Sequence, residues 1–301
     1  MRRHLLTLLA VLALAAACGG QEAAEPEATP PEGEATTEET EEPADMTEEP
    51  TAEFSTIEEG TLTVGSDIPF APFEFEEGGE VTGFDVDLVE EIAGRLGLEV
   101  SWVDTSFDTI FTQLAAGQFD MVASATTITE ERLQTVNFTD PYYRAQQALT
   151  VNTEQAPDVA SVDDLGEGDS VAVQTGTTGE IWANENLAPA GVQVRTFPDA
   201  PDTFIAAEAG QVTGVIFDEP AAVDAAADRD VLEVVDTIDT DEEYGFPVSK
   251  DNEALLDAAN QTLSEIIADG TYAEIYERYF PEAPAGSVAD GGEADATETE
   301  G

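Results

Sequence analysis

Along residues 61 to 280 the hydrophobic spacing switches repeatedly between the alternation of a strand and the i, i+3, i+4 spacing of a helix, which restricts the fold to layered α/β architectures. TLTVGSD (61–67) reads as a short strand with a polar end. FDVDLVEEIAGRLG follows, with Phe84, Leu88, Val89, Ile92 and Leu96 on one helical face and Gly97 as a stop. LEVSWVD, FDTIFTQLAAG and FDMVASA continue the series as strand, helix and strand. A second series starts near 170, with SVAVQTG, VQVRTF and VTGVIFD as strands and TTGEIWANENLA, PDTFIAAEAG and EPAAVDAAADR as helices. A strand-like YGFPVS then leads to the helices NEALLDAANQTLSEIIADG and TYAEIYERYF, while TEERLQ, in between, reads as the start of a helix. No fixed-period repeat is present, and two series of similar size predict two α/β lobes within residues 56–281.

The flanks are different in kind. MRRHLLTLLAVLALAAAC (1–18) has the charged, apolar, small-residue order of an export signal and is too short to span a bilayer. Cys18, the single cysteine, follows the alanines directly, so the expectation is an exported protein anchored to the cell membrane by a lipid on Cys18. An ordinary cleaved signal with an incidental cysteine is the alternative. Residues 19–55 hold 13 acids and no base, the composition of a disordered, self-repelling spacer, and 282–301 read as a tail of the same kind.

Charge and residue usage exclude whole function classes. The chain carries 66 acids against nine bases, and residues 56–281 carry 47 against seven, which argues against nucleic acid or an anionic lipid surface as partner. Such a surface suits high salt, where screening removes the self-repulsion. His4, the single histidine, lies in the leader, and acylation would consume Cys18. Ser-His-Asp and Cys-His catalysis and ordinary zinc sites are therefore not available, and no metal or cofactor is expected.

In α/β sheets, ligands gather at the carboxyl ends of strands beside helix N-termini. The polar residues at those ends are Asp67, Ser124 to Thr127, Gln174 to Thr178, and Asp218. Bland readings exist for each. Thr127 with Glu130, and Thr177 with Glu180, have capping-box spacing. Asp218 precedes a helical run that begins Glu-Pro, Arg132 could be a solvated first-turn residue, and Phe70 and Phe107 could be core. Taken together they suit one kind of molecule. A guanidinium beside hydroxyls grips a carboxylate, Asp218 suits an ammonium, and Phe70 and Phe107 offer aromatic faces to a side chain. That set describes an amino acid.

GFDVDLVEEIA (83–93) is similar to the signature of the bacterial extracellular solute-binding proteins of family 3, the polar amino-acid receptors of ABC transporters. The resemblance extends through SDIPFAPFEF (66–75), LAAGQFDMVASATTITEERLQTVNFTDPYY (114–143), VAVQTGTTGE (171–180), VIFDEPAA (215–222) and DGTYAEIYERYF (269–280). It implies a type II periplasmic-binding-protein clamshell, with lobe 1 at 56–145 plus 246–281, lobe 2 at 146–245, and hinge strands near 144–149 and 243–248. It places Asp67, Phe70 and Phe107 on the first-lobe side of the cleft. Thr127 and the backbone of Ala125 would meet a ligand carboxylate, with Arg132 as its main counter-charge. Gln174, Thr177 and Thr178 would approach from the second lobe, and Asp218 would take the ammonium.

Some positions depart from common family patterns. Ala125 replaces a frequent Gly or Ser, Gln174 stands where glutamine receptors often carry Lys, and Phe217 where they often carry His. Arg144 is the one further cation near these motifs, which disfavours an acidic amino acid, while Asp67 and Asp108 leave a cationic one open. The resemblance implies a monomeric binding protein, not an enzyme, that closes on a polar amino acid and delivers it to a membrane permease. Two alternatives on the same fold are an ectoine-type compatible-solute receptor and a dehydratase-like enzyme.

Overall fold

The computed structural model describes residues 54–280; the leader, Cys18, the spacer up to residue 53 and the tail at 282–301 lie outside them. The first run of elements is β1 (Thr61–Ser66), β2 (Phe75–Glu77), β3 (Glu80–Thr82), α1 (Phe84–Arg95), β4 (Glu99–Asp104), α2 (Phe107–Ala115), β5 (Met121–Val122) and β6 (Asn137–Phe138). The second is β7 (Tyr143–Asn152), β8 (Ser170–Gln174), α3 (Thr178–Asn186), β9 (Gln193–Phe197), α4 (Ala200–Glu208), β10 (Gly214–Asp218), α5 (Glu219–Ala227) and β11 (Leu232–Tyr244). The chain then adds β12 (Pro247–Val248), α6 (Glu253–Asp269) and α7 (Thr271–Tyr279).

Two five-stranded sheets result, in the orders β4-β1-β5-β12-β6 and β11-β7-β10-β8-β9. In the first, β1 runs parallel to β4 and β5, and the late strand β12 is antiparallel to both β5 and β6. In the second, β8 is parallel to β9 and β10, and β7 is antiparallel to β10 and β11. The first lobe therefore combines early strands with β12 and the two closing helices, while the second is contiguous from β7 to β11.

The helical face read from the sequence is the buried one: Phe84, Leu88, Val89 and Ile92 of α1 are fully covered, and Leu96 packs at the margin. Phe84 sits at the centre of an aromatic cluster, with the Phe280 and Tyr276 ring centroids at 5.2 and 5.8 Å. The α1 N-terminus depends on Gly83, whose φ of 140° and close approach to the Phe73 carbonyl leave no room for a side chain. In the second lobe Val215 and Phe217 of β10 face one cluster with Phe204 of α4, and Ile216 faces another with Ala183 of α3. A strand buried on both faces is what a sheet with helices on either side requires.

Three local expectations change. FDMVASA is a strand only at Met121–Val122, because Ala125 adopts a φ of 42° and turns the chain out of the sheet. TEERLQ forms one 3-10 turn, Arg132–Gln134, since the chain must enter β6 at Asn137. YGFPVS divides, with Tyr244 ending β11 in one sheet and Pro247–Val248 forming β12 in the other.

The chain crosses between the sheets twice, from β6 to β7 and from β11 to β12. At this crossing β7 and β11 are in register at Tyr143 with Tyr244, Arg144 with Glu243 and Ala145 with Glu242. The register then shifts before Ile238, and Asp241 in the displaced segment has a φ of 49°.

Candidate functional site

Arg132 is a buried cation without a carboxylate partner. Its Nη1 donates to the Thr127 carbonyl at 2.7 Å, and its Nη2 reaches across to the Gly176 carbonyl of the second lobe at 3.2 Å. The guanidinium lies over two rings of α2, 5.2 Å from the Phe107 centroid and 4.8 Å from that of Phe111. Among the described residues it forms no ion pair. Burial pulls its pKa down to about 10, against the attraction of Asp218 and Glu242. Two of its five N–H donors are engaged by carbonyls, and the others have no acceptor among the described residues.

Facing it is a network built from β7, β10 and β11. Asp218 ends β10 opposite Gln147 of β7 in register. Its carboxylate accepts from the Gln147 amide and from the Tyr244 hydroxyl in two short bonds. Burial first, then the nearby Glu242, push the Asp218 pKa up to about 7, while the Tyr244 and Gln147 bonds and Arg132 work against them. The Gln147 amide also donates to Glu242 Oε1 at 3.0 Å. Glu242 Oε2 accepts from Thr127 Oγ1 at 2.6 Å and from Thr178 Oγ1 at 2.8 Å. One carboxylate oxygen thus ties a hydroxyl of each lobe.

A second contact joins the lobes at Asp67. Gln174 Nε2 donates to Asp67 Oδ2 at 2.5 Å, and burial, with Asp104 and Asp199 adding to it, raises the Asp67 carboxyl to about 6. Beside it the Phe70 ring meets Phe217 of β10 at a centroid distance of 5.2 Å. Behind this wall lie two fully buried acids. Glu74 accepts from the Ser124 hydroxyl at 3.0 Å, and Asp85 accepts from the Ala125 amide at 2.9 Å and the Tyr142 hydroxyl at 2.7 Å. Burial and the neighbouring Asp85 raise Glu74 well above the carboxylate range, and burial lifts Asp85 to about 7.

The structure gathers Arg132, Thr127, Thr178 and Asp218 around one region between the sheets, and Asp67, Phe70 and Gln174 at a second lobe-to-lobe contact. Asp218 has the backbone of an N-cap but makes no capping bond, so its side chain belongs to the Gln147–Tyr244 network. Phe107 is both core and platform: it packs with Ile110 and Leu114 and lies under the guanidinium. Two expected contacts are engaged elsewhere. The Ala125 amide is bonded to Asp85, because the positive φ at Ala125 turns it into the lobe interior. The Thr177 hydroxyl caps α3, accepting from the Glu180 amide at 3.1 Å and donating to the Gln174 carbonyl at 2.8 Å. Thr127, in contrast, bonds Glu242, and Thr129 takes the local role by accepting from the Arg132 amide.

Gln147, Glu242, Tyr244 and Phe111 were not visible as site residues in the sequence. The first three lie in paired strands whose register decides what they face. Phe111 follows Phe107 by one helical turn, a spacing that does signal a shared face. Among the described residues no group of His, Cys, Asp and Glu side chains could hold a metal ion, and no helix is long and apolar enough to cross a membrane.

The chain is similar in sequence and in fold to known proteins. Residues 62–282 match the family described as bacterial extracellular solute-binding proteins, family 3. The L-cystine-binding protein TcyJ of Escherichia coli K12 is 32% identical over 225 residues, covering 74% of this chain and 84% of that protein. The histidine-binding periplasmic protein of Salmonella typhimurium LT2 is 31% identical over 248 residues, covering 76% and 91%. An ancestral arginine-binding protein solved with arginine superposes with a TM-score of 0.70 at 37% identity, over 73% of this chain and 98% of that one. With the two-sheet fold and a match over most of its length, the chain belongs to the bacterial extracellular solute-binding proteins of family 3.

Proposed function

We propose that the chain is the amino-acid-binding component of an ABC importer, which closes its lobes on a polar amino acid and presents it to a membrane permease. The supporting observation is a buried guanidinium, Arg132, that has no carboxylate partner among the described residues of a strongly acidic protein and lies within the field of the Asp218 carboxylate of the opposite lobe. Such a cation calls for an anion from outside, and the paired charges fit the two ends of a zwitterion. Arg132, with the Thr127 and Thr178 hydroxyls, would hold the carboxylate, and Asp218 the ammonium. Phe70 and Phe107 would flank the side chain.

Asp67, with Asp104 and Asp199 adding negative charge around it, favours a basic side chain, so L-arginine is the first candidate. The protein acts by capture and not by catalysis, as a monomer tethered through Cys18, and needs no cofactor. Ligand favours the closed state only through the contacts that the second lobe adds.

Thermal unfolding of the mature protein against L-arginine, L-histidine, L-glutamine, L-cystine, L-glutamate and ectoine tests this reading. A ligand at a hundred times its dissociation constant adds about 2.7 kcal/mol of stability, a readily visible shift. A shift with one or more amino acids is expected. A response to ectoine alone, or to nothing on the panel, would overturn it.

A further inference from the structure

We infer that Glu242 is an internal competitor of the ligand carboxylate: it occupies the Thr127 and Thr178 hydroxyls, and through them staples the two lobes, until an incoming carboxylate displaces it. The inference deepens the proposed function, and rests on it for the assignment of those hydroxyls to a ligand carboxylate.

Three observations carry it. A single oxygen, Glu242 Oε2, accepts from both hydroxyls, at 2.6 Å from Thr127 and 2.8 Å from Thr178. Thr127 belongs to the first lobe, next to the Arg132 turn, and Thr178 opens α3 in the second, so one carboxylate bridges the two. Second, Glu242 reaches this position through an irregularity of the strand. The register between β7 and β11 shifts between Ile238 and Glu242, and Asp241 takes a left-handed φ of 49° immediately before it. A bulge re-aims the side chain beside it, which here turns Glu242 inward, leaving it buried.

Third, the arrangement is ready to exchange. Glu242 forms no ion pair with Arg132 among the described residues, so the cation keeps donors for a different anion. Two carboxylates cannot share the same pair of hydroxyls without strong repulsion, so a bound ligand must move Glu242. A cavity of about 410 Å³ adjoins it, lined by Glu242, Thr127, Thr178, Trp182, Glu185 and Asp241 among others, and gives the side chain room to swing. Glu185 and Asp241 repel the carboxylate as it arrives there, and salt weakens that repulsion.

The occupied fraction of the site lowers the apparent affinity in proportion, so a site filled nine-tenths of the time by Glu242 binds about tenfold more weakly than an empty one. The test measures L-arginine and L-glutamine binding by calorimetry to the mature wild-type protein, Glu242→Ala and Glu242→Gln, at low and high salt. It also measures lobe separation without ligand by small-angle scattering. Glu242→Ala is expected to bind the same amino acids more tightly, by about tenfold where Glu242 fills the site nine-tenths of the time, and to be more open when empty. Glu242→Gln, which keeps the shape without the charge, is expected to gain affinity too and to lose the salt dependence of the wild type. Unchanged or weaker binding by both variants would overturn the inference, weaker binding meaning that Glu242 contacts ligand directly. If neither wild type nor variants bind either amino acid, the amino-acid reading fails, and the scattering comparison decides the staple by itself. An empty Glu242→Ala protein as closed as wild type refutes it; a more open one upholds it.

Discussion

The Arg132 guanidinium of the first lobe donates to the Gly176 carbonyl of the second at 3.2 Å, so the group proposed to hold a ligand carboxylate also touches the turn that leads into α3. Arg132→Ala removes both functions and is expected to lower amino-acid affinity by at least 100-fold, about 2.7 kcal/mol, as for a broken buried charge pair. Arg132→Lys keeps a charge but not the fork, and is expected to recover only part of the loss. Calorimetry with L-arginine reads both.

Asp218, as the proposed partner of the ligand ammonium, is predicted to link binding to pH. Its carboxyl is raised to about 7, so below that value a ligand ammonium meets a protonated acid and must expel the proton. Affinity for L-glutamine, whose side chain is neutral, is expected to fall by up to about tenfold for each pH unit below 6. With L-arginine the fall is expected to be steeper, because Asp67, raised to about 6, titrates in the same range. Asp218→Asn should weaken binding and flatten the L-glutamine profile.

The acids behind the cleft give the empty protein a pH dependence of its own. Asp85, raised from 3.8 to about 7, holds a proton in the folded state that the unfolded chain has released, and Glu74 is displaced the same way. That contribution to stability is complete below about pH 4 and is lost as pH rises towards 7. The unfolding temperature in constant high salt should therefore decline over that window. Glu74→Gln, whose amide oxygen can still accept from Ser124, should make the decline shallower.

Gly83 is predicted to be irreplaceable. An alanine Cβ would lie 2.0 Å from the Phe73 carbonyl oxygen, at a φ of 140° that side chains avoid. Gly83→Ala should cost about 3 kcal/mol or more. Differential scanning calorimetry would show this as a large drop in Tm or as failure to fold.

Phe70 joins the hydrophobic clusters of both lobes through its 5.2 Å contact with Phe217. Aromatic pairs contribute about 0.5–1.5 kcal/mol beyond area burial, so Phe70→Ala should shift the empty protein towards the open form. The change is expected as an increase in radius of gyration, with weaker amino-acid binding.

The βα succession was legible because period and turn residues are local properties. Phe84, Leu88, Val89 and Ile92 declared the buried face of α1 by spacing alone. Arg132 stood out because cations are rare in this chain, and Asp218 because it lies at the carboxyl end of a predicted strand. Glu242 was hidden among 47 acids, and nothing in DTDEEY tells which of its four carboxylates turns inward. That depends on a register shift against β7, set by pairing with residues nearly a hundred positions away. Gln147 was silent for the same reason. Ala125 looked available because its amide partner, Asp85, lies in a helix 40 residues earlier.

The placement of β12 also has a temporal meaning. Val248 pairs with Met121 and Asn137 on either side, filling the gap between two short strands that precede it by more than a hundred residues. As the polypeptide emerges from its N-terminus, every strand of the second lobe is available before this wedge arrives. The inserted lobe can therefore mature first, while the lobe that encloses it waits for its final strand. A chain ending at Tyr244 would retain all the strands of one sheet and leave a slot in the other, making the late strand β12 the one that commits the first sheet to its native form.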